Sequence, residues 1–385
     1  MTFQMKTIKP LRKYEDGNYA VQSYSRFLTG SPIVIGFGTP LLRFHRNGDV
    51  YPLGSQCSHD EPMKDGLVAE ATFRFNKHSV LLPDGTFVFT DGFTLRTLCH
   101  DNEGLLVVKT IAGCDRESGY RDGKALEARF KHLGNLAYNP VNGSIIIADE
   151  YRIRELNKDG SVSTLAGNGD KRDASYVFLP DDFDVEMTAS ECSFSIINGL
   201  GVLSNGTILV GDSEKLRQIS VDGKVSTIAN FNRHIDGILV DGDDNIYTAV
   251  VRFDNEDEDR YEDYDPKTTT AVVKVNAVTK EVVDVVPFGS KISCGRMISF
   301  TPEGHLMVAD SSGLVHIVKT SCLLVKYRRQ SKRLFALKLA SWKEKSIARS
   351  RAILQAAYED EALHNAALQN AEKEPPKKKA KKSGV

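Results

Sequence analysis

The chain has 385 residues, 26% of them charged and 41% hydrophobic, with a formal net charge of −1. These values exclude a wholly disordered chain, a collagen-like fibre and a bundle of membrane spans. The neutral total divides unevenly: residues 319–385 hold 17 Lys and Arg against 6 Asp and Glu, a net of +11, and the other 318 residues carry −12. An acidic body is joined to a basic tail.

The N-terminal MTFQMKTIKPLRKYEDG lacks the apolar run of roughly 7–15 residues that marks a secretory signal. No stretch nears the ~20 apolar residues of a membrane span, so no membrane contact is expected. The six cysteines (57, 99, 114, 192, 294 and 322) are scattered without a C-x-x-C pair. Zinc-finger spacing is absent, and lone cysteines within strands read as small buried hydrophobes in a reducing, intracellular compartment. Asn142-Gly143-Ser144 and Asn205-Gly206-Thr207 match glycosylation sequons. Each also stands between strand-like runs, where Asn-Gly reads as a type I′ hairpin turn.

From Ile33 onward a unit recurs. Ile33–Gly54, Phe87–Gly113, Ile145–Gly167 and Ile208–Ala229 each show a β-branched or aromatic run, a break, an alternating run, a turn and a third run. A preceding strand ends in its own turn, as at Pro83-Asp84-Gly85 and Asp243-Asp244-Asn245. The unit is four antiparallel strands, whose two faces are buried by radial stacking. Second turns at Gly48, Gly104, Gly160, Gly223, Lys280 and about Thr320 count six units. The expected fold is therefore an all-β, six-bladed β-propeller over residues 19–327, after an N-terminal segment 1–18.

The unit resembles the NHL repeat. Asp122-Gly123, Ala128-Arg129-Phe130, Ala148-Asp149, Arg152-Ile153-Arg154, Asp159-Gly160 and Ser163-Thr164-Leu165-Ala166-Gly167 follow that pattern in register. Asp65-Gly66, Ala71-Thr72-Phe73, Asp91, Arg96 and Ile111-Ala112-Gly113 repeat it with the same Asp-Gly to Phe spacing. Asp91, Asp149, Asp212 and Asp310 end second strands, and Arg96, Arg154 and Arg217 follow five residues later. Such pairs can bridge the break between strands, while Phe73 and Phe130 wedge between sheets. These are structural roles. The resemblance implies a non-enzymatic module that binds proteins or RNA through one face.

Counting back from the first turns places Lys77, Asn135, Asn198, Asp236 and Arg296 at comparable height around a central channel, with the first blade unassigned. Asn198-Gly199-Leu200 and Asp236-Gly237 also resemble segments of the gluconolactonase and senescence-marker family. That resemblance implies a divalent cation, Ca²⁺ or Mg²⁺, on Asn198, Asp236 and Asn135, and a lactonase or esterase-like hydrolase. Against it, no matching Glu stands in the first blade, and Lys77 and Arg296 bring positive charge to the same ring. On the binding-module reading there is no cofactor and no catalytic residue.

Asp254, Glu256, Asp257, Glu258, Asp259, Glu262, Asp263 and Asp265 form an acidic insertion. It lacks the Gly and Glu an EF-hand loop requires, and reads as a solvated loop or a docking site for a basic partner. Residues 331–370 contain no Gly or Pro and are rich in Ala, Leu, Lys and Glu, which predicts a helical extension. Residues 371–385 form a disordered basic tail in which Lys377, Lys378, Lys379, Lys381 and Lys382 follow Pro375-Pro376. That cluster resembles a nuclear import signal recognised by an acidic receptor. The basic extension offers only weak nucleic-acid binding. The sequence is thus read as a nuclear protein-interaction scaffold, with the metal-dependent hydrolase as the alternative.

Overall fold

The second-strand runs FVFTD, IIIAD and ILVGD are buried along their whole length. A strand covered on both faces belongs in a sheet packed between other sheets, and these three occupy that place. The structure, a computed structural model, describes residues 50–58, 60–170, 186–231, 233–252 and 269–288 and Ile292. Outside those it describes the strands Met5–Ile8, Val21–Arg26, Pro32–Gly36, Leu41–Phe44, Gly295–Phe300, Leu306–Asp310 and Val315–Val318, chiefly as backbone.

Numbered along the chain, sheet 1 contains Val21–Arg26, Pro32–Gly36, Leu41–Phe44 and Val50–Leu53. Sheet 2 is built on Asn76–Leu81, Phe87–Asp91, Thr94–His100 and Leu106–Gly113. Sheet 3 is built on Leu133–Tyr138, Ile145–Asp149, Arg152–Leu156 and Ser161–Ala166. Sheet 4 is built on Ile197–Val202, Ile208–Asp212, Lys215–Ile219 and Lys224–Asn230. Sheet 5 contains His234–Val240, Asn245–Arg252, Thr269–Asn276 and Val282–Val286. Sheet 6 contains Gly295–Phe300, Leu306–Asp310 and Val315–Val318, and Met5–Ile8 pairs antiparallel with its last strand. A strand from the segment set apart as 1–18 is thereby part of a sheet.

The result is an all-β propeller. Four blades, sheets 2 to 5, are described with their side chains, against the six units counted from the turns; sheets 1 and 6 are defined by strand pairing. Each innermost strand touches the innermost strand of the next sheet, and Val21–Arg26 touches both Asn76–Leu81 and Gly295–Phe300. In sheets 2, 3 and 4 a short strand from the preceding linker (Gly66–Leu67, Gly123–Lys124 or Met187–Thr188) adds to the outer edge. Among the described residues there is no helix. The predicted helical extension 331–370, the Lys377–Lys382 cluster and the acidic Asp254–Asp265 insertion lie outside the described residues.

The core lies between neighbouring sheets. Val88, Leu95, Phe130 and Ile147 join sheets 2 and 3; Ile146, Ile153, Phe194 and Val210 join sheets 3 and 4; Leu209, Ile235 and Val250 join sheets 4 and 5. Phe73, Phe130 and Phe194 are fully buried, each contributing roughly 1.5–3 kcal/mol through removal of apolar surface from water.

The turns differ from the type I′ geometry expected of Asn-Gly. Gly143 and Gly206 have φ of +74° and +92°, but Asn142 and Asn205 are not left-handed. Their side chains instead accept bonds from Ser144 N at 3.0 Å and Thr207 N at 2.9 Å, forming Asx turns. Cys57, Cys99, Cys114 and Cys192 are free thiols, and burial pushes the pKa of each up.

Candidate functional site

The motif residues build clamps rather than a reactive centre. In sheet 3, Asp149 Oδ2 lies 2.8 Å from Arg154 Nη1, while Asp149 Oδ1 accepts the backbone N–H groups of Lys131 at 2.8 Å and His132 at 2.9 Å. Arg154 Nη2 reaches Asp122 Oδ1 at 2.6 Å, and the guanidinium lies 5.3 Å from the Phe130 ring centroid. Sheet 2 repeats this with Asp91 and Arg96 at 2.8 Å, Asp65 at 2.8 Å, and Phe73 at 5.3 Å. Burial pushes the Asp91 and Asp149 carboxyls up, opposed by the guanidinium charge and the backbone bonds. In sheet 4, Asp212 pairs with Arg217 at 3.1 Å above Phe194 at 5.0 Å. Asp310 ends its strand opposite Gly295, and its side chain lies outside the described residues.

The channel residues share one backbone device. Each innermost strand slips register near its start: between Val21 and Ser23, Asn76 and Ser79, Leu133 and Leu136, Ile197 and Gly199, Asp236 and Ile238, and Gly295 and Met297. A bulge re-aims the side chains beside it and is common next to functional sites. Lys77, Asn135, Asn198 and Arg296 fall inside these bulges, and Asp236 borders one. Gln22 occupies the corresponding position in sheet 1, the blade that sequence spacing left unassigned. Bulging displaces backbone groups from the ladder, and hydroxyls recover some of them: His78 N donates to Thr90 Oγ1 at 3.0 Å, and Thr248 Oγ1 donates to Gly237 O at 2.8 Å.

Between Asn198 and Asp236 the inner strands approach closely. A Cβ on Gly199 would lie 2.9 Å from Ile238 Cγ1 and 3.1 Å from the carbonyl carbon of Gly237. Asn135, Asn198 and Asp236 are half-buried on three successive inner strands. Two amide oxygens and one carboxylate are hard donors of the kind Ca²⁺ and Mg²⁺ accept. Among the described residues, no group of three or more His, Cys, Asp and Glu is gathered for a metal. A cation here therefore depends on the amide oxygens, and the donor set suits Ca²⁺ or Mg²⁺ rather than zinc.

Between the inner strands of sheets 2 and 3 stands a contact that the sequence did not announce. Lys77 Nζ lies 2.8 Å from His132 Nε2 and 5.1 Å from the Phe75 ring centroid. Burial lowers the Lys77 pKa. Burial, then the Lys77 charge, lowers that of His132, with Glu150 opposing. His78, enclosed beside them, is pushed down to about 3, first by burial and then by Lys77 and His132. Glu150 donates its N–H to His132 O at 3.0 Å, and its carboxylate accepts the Tyr120 hydroxyl. The Arg152 guanidinium stacks 3.8 Å from the Tyr120 ring centroid.

No protein-family model and no curated protein matches the sequence, so the NHL resemblance rests on the motif residues alone. Solved structures do match. A candidate gluconolactonase is 13% identical with a TM-score of 0.53, covering 83% of this chain and 93% of that one. A streptogramin B lyase is 11% identical with a TM-score of 0.43, covering 82% and 97%. A Trichoderma reesei protein of carbohydrate-active enzyme family AA12 is 9% identical with a TM-score of 0.48, covering 83% and 96%. At such identities the likeness is one of fold.

Proposed function

We propose that the protein is a small-molecule hydrolase of the lactonase or esterase kind, working at the mouth of the central channel, with Asn135, Asn198 and Asp236 as oxygen donors to Ca²⁺ or Mg²⁺. The observation that carries this reading is the recurrence of a register slip at or beside a polar residue on successive inner strands. The fold shared with a candidate gluconolactonase supports the same reading.

A bound cation would polarise the ester carbonyl and acidify water. Asp236 supplies the negative charge of the donor set, and the two Asn amides supply neutral oxygens. Gly199 allows the Asn198 strand to approach the Gly237 backbone beside Asp236, which supports a shared ligand. The scaffold reading draws on the NHL resemblance and on the acidic insertion and basic tail, which lie outside the described residues, whereas the fold neighbour and the channel residues support the hydrolase. Nuclear import through Lys377–Lys382 is a separate proposal, compatible with either activity.

The test is calorimetric titration of the full chain with CaCl₂ and MgCl₂, alongside hydrolysis of aldonolactones followed by acid release. Cation-dependent hydrolysis, with cation binding lost in Asp236→Asn, is the expected result. A chain that binds neither cation and hydrolyses no lactone refutes the proposal.

A further inference from the structure

We propose that Lys77 is the proton-transfer group of the channel and that His132 is its positioning partner. This inference deepens the hydrolase reading and rests on it for the substrate. The geometry comes from two sheets: Lys77 sits in the bulge of one inner strand, and His132 immediately precedes the next. Their 2.8 Å contact makes His132 Nε2 the acceptor, so the neutral ring keeps its proton on Nδ1.

Glu150 completes the arrangement. It follows Asp149 at a turn position whose φ is +53°, a conformation that costs a side-chain-bearing residue about 1 kcal/mol or more. Sheet 2 uses Gly92 at the same place, with φ of +59°. Glu instead brings a carboxylate beside His132, held by the Tyr120 hydroxyl. Sheet 4 has Ser213 there, with φ of +54°, so the conformation belongs to the repeat and the carboxylate is what sets sheet 3 apart.

Several ionisable groups surround Lys77 among the described residues. His78 neighbours it on its own strand, and His132 comes from sheet 3 with Glu150 behind it. Asp91, on the adjacent strand of sheet 2, is engaged by Arg96. Val21–Arg26 and Pro32–Gly36 also pack on the Lys77 strand and carry Tyr24 and Arg26. A half-buried lysine beside an imidazole yields its free amine more readily than a fully solvated one.

The step balances without an oxidant or reductant. The Lys77 amine takes a proton from water as the water oxygen bonds to the lactone carbonyl carbon. The ring C–O bond then breaks, and Lys77 returns the proton to the leaving alkoxide. One water is added in all.

The test is competitive acetylation of the full chain by acetic anhydride from about pH 6 to about pH 11, read by mass spectrometry at each lysine. Lys77 is expected to label with an apparent pKa below those of the other lysines. His132→Ala, which removes the Nε2 contact, should change that value, while His132→Gln, which keeps an acceptor, should largely keep it. Lys77→Met should lose about a hundredfold or more in kcat towards glucono-δ-lactone while retaining cation binding and the wild-type melting temperature. Ordinary labelling of Lys77, or a Lys77→Met enzyme with unchanged kcat and pH profile, overturns the inference. Loss of cation binding only in Asp236→Asn separates the two: if that variant still binds cation, the metal site fails while the labelling result still decides Lys77.

Discussion

Asp122 holds Arg154 across the outer rim of sheet 3, with Oδ1 2.6 Å from Nη2 and 3.1 Å from Nε. The same guanidinium pairs with Asp149 at 2.8 Å and donates to the carbonyls of Arg121 at 3.0 Å and Arg129 at 3.2 Å. One side chain therefore ties the linker, the short outer strand and the central strands together. Removing it leaves Asp149 buried as an unpaired charge. Arg154→Met should cost roughly 3–5 kcal/mol in urea unfolding, and adding Asp149→Leu should recover part of that loss. A cost below about 1 kcal/mol would place the clamp outside the stabilising core.

Sheet 4 carries an incomplete version of this clamp. Glu186 stands where sheets 2 and 3 have Asp65 and Asp122, and it pairs with Lys224 at 3.0 Å on the surface. Buried Arg217 Nε has no hydrogen-bond partner. The extra methylene of Glu carries its carboxylate past the guanidinium. Glu186→Asp should bring an acceptor to Arg217 and stabilise the chain by about 1 kcal/mol, measured as a shift in the urea midpoint. An unchanged or lowered midpoint would show that chain length is not what leaves Nε unpartnered.

Gly199 is required by space rather than by its backbone angle. Gly199→Ala would press a methyl group 3.1 Å from the Gly237 carbonyl carbon and 3.2 Å from Ile238 N. Backbone yields less readily than a side chain, so a loss of about 1–3 kcal/mol is expected. Gly134→Ala, whose new Cβ meets the Ala148 Cβ at 3.3 Å, should cost less. The comparison is read from melting temperatures, and equal costs would argue against a close approach at Asn198.

His78 sets an acid limb in stability. Its folded pKa of about 3 lies below the roughly 6.5 of an unfolded histidine. Between those values the unfolded chain binds the extra proton, so stability falls as pH drops through that window. The slope from this residue approaches about 1.4 kcal/mol per pH unit. His78→Gln should flatten the loss between about pH 6.5 and about pH 4 in urea titrations. An equally steep limb in the variant would assign it to other groups.

The repeating motif was legible because its parts recur at constant spacing. Asp91 with Arg96, Asp149 with Arg154 and Asp212 with Arg217 are each five residues apart, and that interval spans one tight turn between two paired strands. Phe194 escaped notice because Cys192-Ser193 replaces the small and basic residues before it. Its signal was the eight-residue interval after Glu186, the same interval that separates Asp122 from Phe130. Gln22 escaped because no first turn was identified in the first unit to count back from, and only strand pairing locates its bulge.

Local chemistry determined the strands, the turns, the Asp–Arg clamps and the all-β propeller class, since each depends on residues close in sequence or on a repeat of them. The channel was decided by tertiary structure. Lys77 and His132 are 55 residues apart and meet because two inner strands lie side by side. Where each bulge falls is a property of pairing with the second strand, which no single run of residues encodes.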